Sequence, residues 1–385
     1  MQSYKEILTT AMKRIADGTT AMLEELEIQG DGIPRFNYMT GGYVVDSTYT
    51  PEEWKSFQWV GYLVGRLWLL ADYTGKSHYA DAAKRLVAKI RGHLVEQPAQ
   101  FAAVGKDIYF GLCRGYDLTG EDSYRELALR ALTQLDKLYD ADAGLYYQSS
   151  RGTGCVIDTA NTLIGFYWAS RFDERRAEHL NRHNRRLLEH GIIRPDGSSY
   201  QAVSVQGGNA RRYTVQGYGD ESTWARGQAW GIHNYTVAFE ATGDQDFLNA
   251  AAKLADWYIA HLPSDHIPYY DFDDPGQALP RDSCSAALVG NALCKLSKLS
   301  PALATRYRPA IEAMMTELAT NYLSPGGVLL HGSWGRIGRP DSPEIIGGKT
   351  PGRFPQEDVV PYGNYWVVEA LYRELRDDWR LLRLR

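Results

Sequence analysis

The chain has 385 residues, of which 44% are hydrophobic, and its formal net charge at pH 7 is −5. This balance, with no basic stripe, argues against a nucleic-acid-binding protein. The four cysteines lack the paired spacing of a metal or redox motif, so we expect reduced thiols. Ten tryptophans and 26 tyrosines are the unusual feature, which either a large helical core or a sugar-binding site explains.

The N-terminal segment, MQSYKEILTTAMKRIADG, is charged throughout and lacks the apolar stretch of a signal peptide. The longest apolar run, WVGYLVGRLWLLA, contains Arg66 and is too short to span a bilayer. We therefore expect a cytoplasmic protein, a monomer or small homo-oligomer, with neither a membrane nor a nucleic acid as partner.

A helical repeat runs along the chain. Segments 71–90, 116–135 and 239–258 each contain Thr-Gly, a few polar residues, an aromatic residue and apolar residues at helical spacing. The glycine ends one helix and the polar residues open the next. The repeating unit is therefore a helix, a tight turn and a second helix.

Two kinds of helix alternate. The amphipathic kind is predicted near residues 3–26, 77–95, 121–139, 172–190, 244–261 and 301–322. The more apolar kind is predicted near residues 55–73, 105–118, 157–170, 222–241, 281–297 and 362–376. No period-2 pattern predicts a strand. Six such hairpins favour an all-α fold, a single (α/α)6 toroid over residues 1–385 with the apolar helices inside; an open solenoid is the alternative.

In a toroid the inner helices run parallel, so their N-terminal ends meet at one rim. Those ends carry the residue types of a carbohydrate pocket. They supply Trp59, Asp107, Asp158, Trp224, Arg226 and Trp230, and the connecting loops add Gln201 and Gln216.

Asp107 and Asp158 begin adjacent inner helices, so we expect their side chains to face each other. Helix capping is one explanation for an aspartate in such a place. Catalysis is the other, because neighbouring carboxylates in aromatic surroundings raise one pKa and keep a proton available near neutrality. Two carboxylates across a sugar ring are also what glycosidases use.

Other chemistries have weaker support. His179 and His183 share a helix face but have no visible third metal ligand. The glycine-rich segment 207–220 has no predicted strand before it, which argues against a phosphate loop. We therefore expect neither a metal nor a cofactor.

Four motifs, CVIDTANTL, DGSSYQ, STWARGQAWG and RDSCSA, together resemble the unsaturated glucuronyl hydrolases, glycoside hydrolase family 88. The resemblance extends from about residue 73 to about residue 375. The unsaturated rhamnogalacturonyl hydrolases, family 105, share the toroid but fit these motifs less well.

The resemblance implies a glycoside hydrolase that acts on oligosaccharides left by polysaccharide lyases. An aspartic acid protonates the C4=C5 vinyl ether of the terminal unsaturated uronic acid at C4, and water adds at C5. The hemiketal then rearranges, opens the ring and releases the remaining sugar. Asp158 matches the acid/base and Asp107 the second carboxylate. Pocket positions match Gln216, Trp224, Arg226 and Trp230, and more loosely Trp59.

Two departures from the family pattern bear on the substrate. This chain has Gly105-Lys106-Asp107 where members typically carry His-His-Asp, and Gln201 where they carry histidine. Lys106 is either a contact for a sulfate or second carboxylate, or a solvated lysine. Segment 336–358 is long and rich in proline and glycine, which predicts a lid over the pocket.

Two alternatives stay open. One is hydrolysis of a saturated uronide or of an unsaturated rhamnogalacturonyl disaccharide, distinguished by whether activity requires the C4=C5 bond. The other is a sugar-binding toroid without catalysis, for which replacing Asp158 with asparagine would leave ligand affinity and biological role unchanged.

Overall fold

The computed structural model describes residues 2–29, 33–37, 42–46, 60–96, 102–148, 154–206, 208–274, 280–333 and 357–384. Within these ranges the chain forms twelve main helices. They are α1 (Tyr4–Gln29), α2 (Val60–Thr74), α3 (Ser77–Glu96), α4 (104–119), α5 (Asp122–Leu135), α6 (159–169), α7 (Glu178–Glu189), α8 (Ala225–Thr242), α9 (Gln245–Ala260), α10 (Ser283–Leu299), α11 (Pro301–Glu317) and α12 (Pro361–Leu375).

The even-numbered helices form a closed inner ring. Each packs on the next, from α2 through α4, α6, α8 and α10 to α12, and α12 packs back on α2. The odd-numbered helices lie outside, each against the inner ring. This is the predicted all-α (α/α)6 fold, and the closed ring excludes the open solenoid.

Burial follows the predicted difference between the two kinds of helix. In α8 every residue from 225 to 238 is buried. In α9 the buried residues follow one stripe at helical spacing: Phe247, Ala250, Ala251, Leu254, Ala255 and Tyr258. An inner helix contacts protein all round, whereas an outer helix buries one face only.

The prediction of no strands is wrong. Antiparallel pairs join β1 (Ile33–Asn37) to β2 (Gly42–Asp46) and β3 (Tyr139–Asp140) to β4 (Leu145–Tyr146). β5 (Gly154–Val156), β6 (Ala202–Gln206) and β7 (Asn209–Tyr213) form a three-stranded sheet, and β8 (Gly332–Ser333) pairs with β9 (Glu357–Asp358). Strands of two to five residues are too short to show a period-2 pattern. The glycine-rich segment therefore does follow a strand, but β6 turns back into β7 and not into a helix.

Two inner helices begin differently from the prediction. Helix α4 starts at residue 104, so Asp107 lies inside it, at the start of a π-helical stretch, Asp107–Cys113. Helix α6 starts at Thr159 and is interrupted at Leu163, so Asp158 occupies its N-cap. π-helical insertions often lie at functional sites.

Of the predicted lid, only residues 357 and 358 lie within the described residues; the single domain over 1–385 stays a prediction. Among the described residues, no helix combines the length and the apolar character needed to cross a membrane.

Helices α4 and α6 come into close contact at Gly105, which has no side chain. A Cβ added at Gly105 would lie 1.9 Å from the carbonyl oxygen of Thr162. We expect Gly105→Ala to force the two helices apart and to lower the free energy of unfolding by at least about 1–3 kcal/mol, the usual cost of overpacking. Chemical denaturation measures this.

Gly111→Ala in the same helix is the matched control. Its Cβ would meet nothing closer than Val87 Cγ2 at 3.9 Å, and alanine favours helix over glycine by up to about 1 kcal/mol. Equal stability of the two variants would contradict the close packing of α4 on α6.

Candidate active site

The N-terminal ends of the inner helices converge, as predicted. Gly61 of α2 contacts Asp107 of α4, and Arg226 of α8 pairs with Asp282 before α10. The ring centroid of Tyr362, in α12, lies 5.7 Å from that of Tyr62 in α2 and 6.2 Å from that of Trp230 in α8. Polar and aromatic groups from five inner helices therefore share one end of the barrel.

Asp107 is buried there, with 5% of its surface exposed. Its Oδ1 accepts a hydrogen bond of 2.6 Å from the backbone N–H of Gly61, in the first turn of α2. The carboxylate thus caps a neighbouring helix and not its own. Burial raises the pKa of Asp107 to about 7, against the Gly61 N–H and the Lys106 ammonium, which lower it.

Asp158 differs from Asp107 in being half-buried. It occupies the N-cap of α6, yet its side chain makes no capping hydrogen bond. Within the described part of the chain its carboxylate has no hydrogen-bond partner. Capping therefore does not account for this carboxylate, which is available to a ligand.

Lys106 is buried, with 7% exposed, so the interpretation of a solvated lysine is wrong. Its Nζ lies 5.5 Å from the ring centroid of Trp230, 5.9 Å from that of Tyr62 and 6.0 Å from that of Tyr362. Burial lowers the pKa of Lys106, and attraction to Asp158 and then Asp107 raises it. The ammonium is therefore close to both aspartates.

Arg226, Trp224 and Trp230 lie at the same end of the barrel, and all three are buried. Arg226 Nη1 donates to Asp282 Oδ2 at 2.5 Å and to the backbone oxygen of Ser333. The guanidinium carbon lies 4.6 Å from the ring centroid of Trp224. Arg226 Nη2 and Trp224 Nε1 are buried donors without a partner among the described residues.

Gln201 organises the loop that carries Gln216. Its Oε1 accepts from Thr214 Oγ1, Val215 N and Gln216 N at 2.6–2.8 Å, and its Nε2 donates to Gln216 Oε1 at 2.9 Å. Its backbone oxygen accepts from the N–H of Ile157, next to Asp158. The Gln201 amide is thus occupied by protein groups, and its contact with a substrate stays a prediction. Trp59 lies outside the described residues.

The chain as a whole has relatives among known proteins. No protein-family model matches the chain. It is 29% identical to the unsaturated glucuronyl hydrolase of Bacillus sp. (strain GL1), over 93% of this chain and 95% of the relative. It is 25% identical to the unsaturated chondroitin disaccharide hydrolase of Streptococcus pneumoniae (strain ATCC BAA-255 / R6), over 88% of this chain and 84% of the relative.

Solved structures agree. That of the unsaturated glucuronyl hydrolase from Bacillus sp. GL1, responsible for the degradation of glycosaminoglycan, matches with a TM-score of 0.81 at 26% identity over 97% of both chains. A UGL variant with dGlcA-Glc-Rha-Glc matches with a TM-score of 0.82 at 27% identity, over 95% of this chain and 97% of the other.

The chain is a homologue of the unsaturated glucuronyl hydrolases. The resemblance seen in four short motifs thus extends to relatives that match most of the chain.

Sequence reasoning missed two residues of this glucuronyl hydrolase-like site, Gly61 and Tyr62. A Cβ on Gly61 would lie 2.5 Å from both the Cα and the Oδ1 of Asp107, so only glycine fits. The predicted helix 55–73 placed both residues inside a helix, whereas α2 begins at Val60. A correct prediction of where the helix begins would have placed Gly61 and Tyr62 in its first turn, at the end of the barrel that carries the site.

No group of three or more histidine, cysteine or acidic side chains that could hold a metal ion occurs in the ranges that the structure describes. His183, which shares a helix face with His179, has a structural contact instead. Its Nδ1 accepts a hydrogen bond of 3.0 Å from the backbone N–H of Tyr146, and burial lowers its pKa to about 3.

Replacing Asp107 tests its raised pKa. The unfolded carboxyl loses its proton near pH 4, whereas the folded one keeps it to about pH 7. The wild type should therefore lose stability from this group as pH rises from about 4 to about 7. In Asp107→Asn that loss should vanish, so its melting temperature should rise relative to wild type across this window.

Thermal unfolding from pH 4 to pH 8 measures the difference. Asp81→Asn, at an exposed site on α3, is the matched control and should show a constant difference. A pH-independent difference for Asp107→Asn would contradict the raised pKa.

Proposed function

We propose that the protein removes the terminal 4,5-unsaturated uronic acid from lyase-generated oligosaccharides by acid-catalysed hydration of the C4=C5 vinyl ether. The observation that carries this proposal is the placement of Asp107 and Asp158 on adjacent inner helices that touch through Gly105 and Thr162, beside the buried Lys106. Homology to glycoside hydrolases gives the reaction class.

Asp158 is the acid and base. Of the two carboxyl groups it is the more exposed, and its oxygens are not held by other described groups. It protonates C4, water adds to C5, and the carboxylate left behind takes a proton from that water. The resulting hemiketal opens and the aglycone sugar leaves. No redox step is needed, because one proton and one water balance the hydration.

Asp107 is the second carboxylate, which binds hydroxyl groups of the sugar ring. Because its pKa is about 7, its free oxygen can either donate or accept a hydrogen bond near neutrality. The Gly61 N–H fixes its other oxygen, so the orientation of the group does not depend on the substrate.

The remaining pocket residues hold the sugar. Trp224 and Trp230 provide flat faces for the apolar side of the ring, and Arg226 and Gln216 provide polar groups. Gln201 acts through the loop that it holds in place. This inventory fits a small oligosaccharide.

The parent polysaccharide is the finer question. The relatives include a glucuronyl hydrolase and a chondroitin disaccharide hydrolase, so glycosaminoglycan products are the first substrates to try. We also propose a cytoplasmic location and a monomer or small homo-oligomer, which cell fractionation and light scattering test.

The reaction removes the C4=C5 bond, so the loss of its ultraviolet absorbance measures the reaction directly. We expect wild type to remove this absorbance from at least one disaccharide of a lyase-generated panel. Asp158→Asn should be slower by about 10²- to 10⁴-fold, the usual contribution of a general acid–base group. Asp81→Asn should act as wild type.

Each contrary outcome has a definite meaning. No loss of absorbance across glycosaminoglycan, ulvan, gellan and pectin products would refute the proposal and favour saturated uronides or a binding role. Loss with an unimpaired Asp158→Asn would show that another group is the acid.

A further inference from the structure

Lys106 is an exception among the buried cations. Lys295, the other buried lysine in the described part of the chain, forms an ion pair with Glu240. Arg226 pairs with Asp282, and Arg373 with Glu369. The Lys106 ammonium has neither a hydrogen bond nor an ion pair with any described residue, although 93% of the residue is buried.

Burying such an ammonium costs free energy unless a hydrogen-bond acceptor or an anion binds to its N–H donors. A buried charge without partners loses its hydration, and this outweighs attraction to aromatic rings. The three rings around Nζ lie at 5.5–6.0 Å, near the outer limit of a cation–π contact. The rings orient the side chain but leave its three N–H donors to a ligand.

We infer that Lys106 binds the carboxylate of the unsaturated uronic acid, a specificity contact for the sugar that reacts. This inference rests on the proposed function. Asp158 must reach C4 to protonate it, and the carboxylate is attached to C5, the next ring carbon. Lys106 follows Gly105, which packs on Thr162 in the helix that Asp158 begins. The cation therefore lies on the same side of the pocket as Asp158, where the carboxylate on C5 lies when C4 is placed for reaction.

Burial favours this ligand over a sulfate on the aglycone sugar. Lys106 has 7% of its surface exposed and is next to Asp107 in the chain, so its short reach favours the sugar that lies between the two aspartates. Every substrate of this class carries the carboxylate there, whereas sulfation varies. A sulfate on O2 of the same ring has similar charge, so the test separates the two.

The test compares wild type and Lys106→Met on an unsaturated disaccharide and on the methyl ester of its uronic acid. Loss of a charged hydrogen bond should raise KM for the acid by about 10- to 100-fold. The same change should leave KM for the ester within a few fold, and kcat should change less than KM because the contact exists before and during reaction.

Lys76→Met makes the same change at an exposed site in the turn after α2 and should match wild type. If Lys106→Met does not fold, as judged by thermal unfolding, Lys106→Gln keeps a polar side chain without the charge and is measured in its place.

The outcomes are distinct. An unchanged KM for the acid, or equal losses for acid and ester, would overturn the inference and give Lys106 a purely structural role. A loss confined to 2-O-sulfated disaccharides would assign the sulfate as ligand and also overturn it. Absence of wild-type turnover on every unsaturated disaccharide would refute the proposed function, and this inference with it.

Discussion

Two glycine contacts hold α4 against both of its neighbours in the inner ring, and the site depends on them. Gly61 lets α2 approach the Cα of Asp107, and Gly105 lets α4 approach the carbonyl of Thr162. A Cβ at either position would overlap backbone atoms, which cannot move without moving a helix. The positions of Asp107 and Asp158 are therefore set by backbone packing, since Asp107 is itself the contact of Gly61 and Asp158 lies four residues before Thr162.

Buried charge in this barrel is arranged by pairing, with the pocket as the exception. Glu369 accepts from Arg373 Nη2 at 2.7 Å and from the Tyr365 hydroxyl, and this pairing holds its pKa down to about 2 against burial. Among the described residues, Asp107 has one backbone N–H as its hydrogen-bond donor and a nearby ammonium, so burial prevails and its pKa rises. The near-neutral titration of Asp107 thus follows from incomplete pairing.

The sequence predicted the helices well because each hairpin carries its own local signals. Thr-Gly at residues 74–75 and 119–120 ends two inner helices, and both glycines adopt a positive φ of 71°. Counting six hairpins predicted the closed ring, in which the N-terminal ends of the inner helices lie together. The residue types at those ends then indicated the pocket.

What the sequence could not predict depends on contacts between distant residues. β5 pairs with β6 across 46 or more residues of chain, and neither strand is long enough to show a pattern. Gln201 has the residue type of a binding group, but its amide is used by residues 214–216. Lys106 follows a glycine and precedes an aspartate, as a solvated lysine would; only the fold surrounds it with Trp230, Tyr62 and Tyr362.

The two residues that replace the family's paired histidines, Gly105 and Lys106, belong together. A side chain at position 105 would meet the Thr162 carbonyl, so the backbone of α4 could not lie as close to α6. With α4 in its present position, the next residue enters the space between the two aspartates and the aromatic rings. Lysine fills that space with a long apolar stem and a single charge at its tip. Glycine at 105 thus sets the distance between the helices, and lysine at 106 places a positive charge beside the aromatic rings at this end of the barrel.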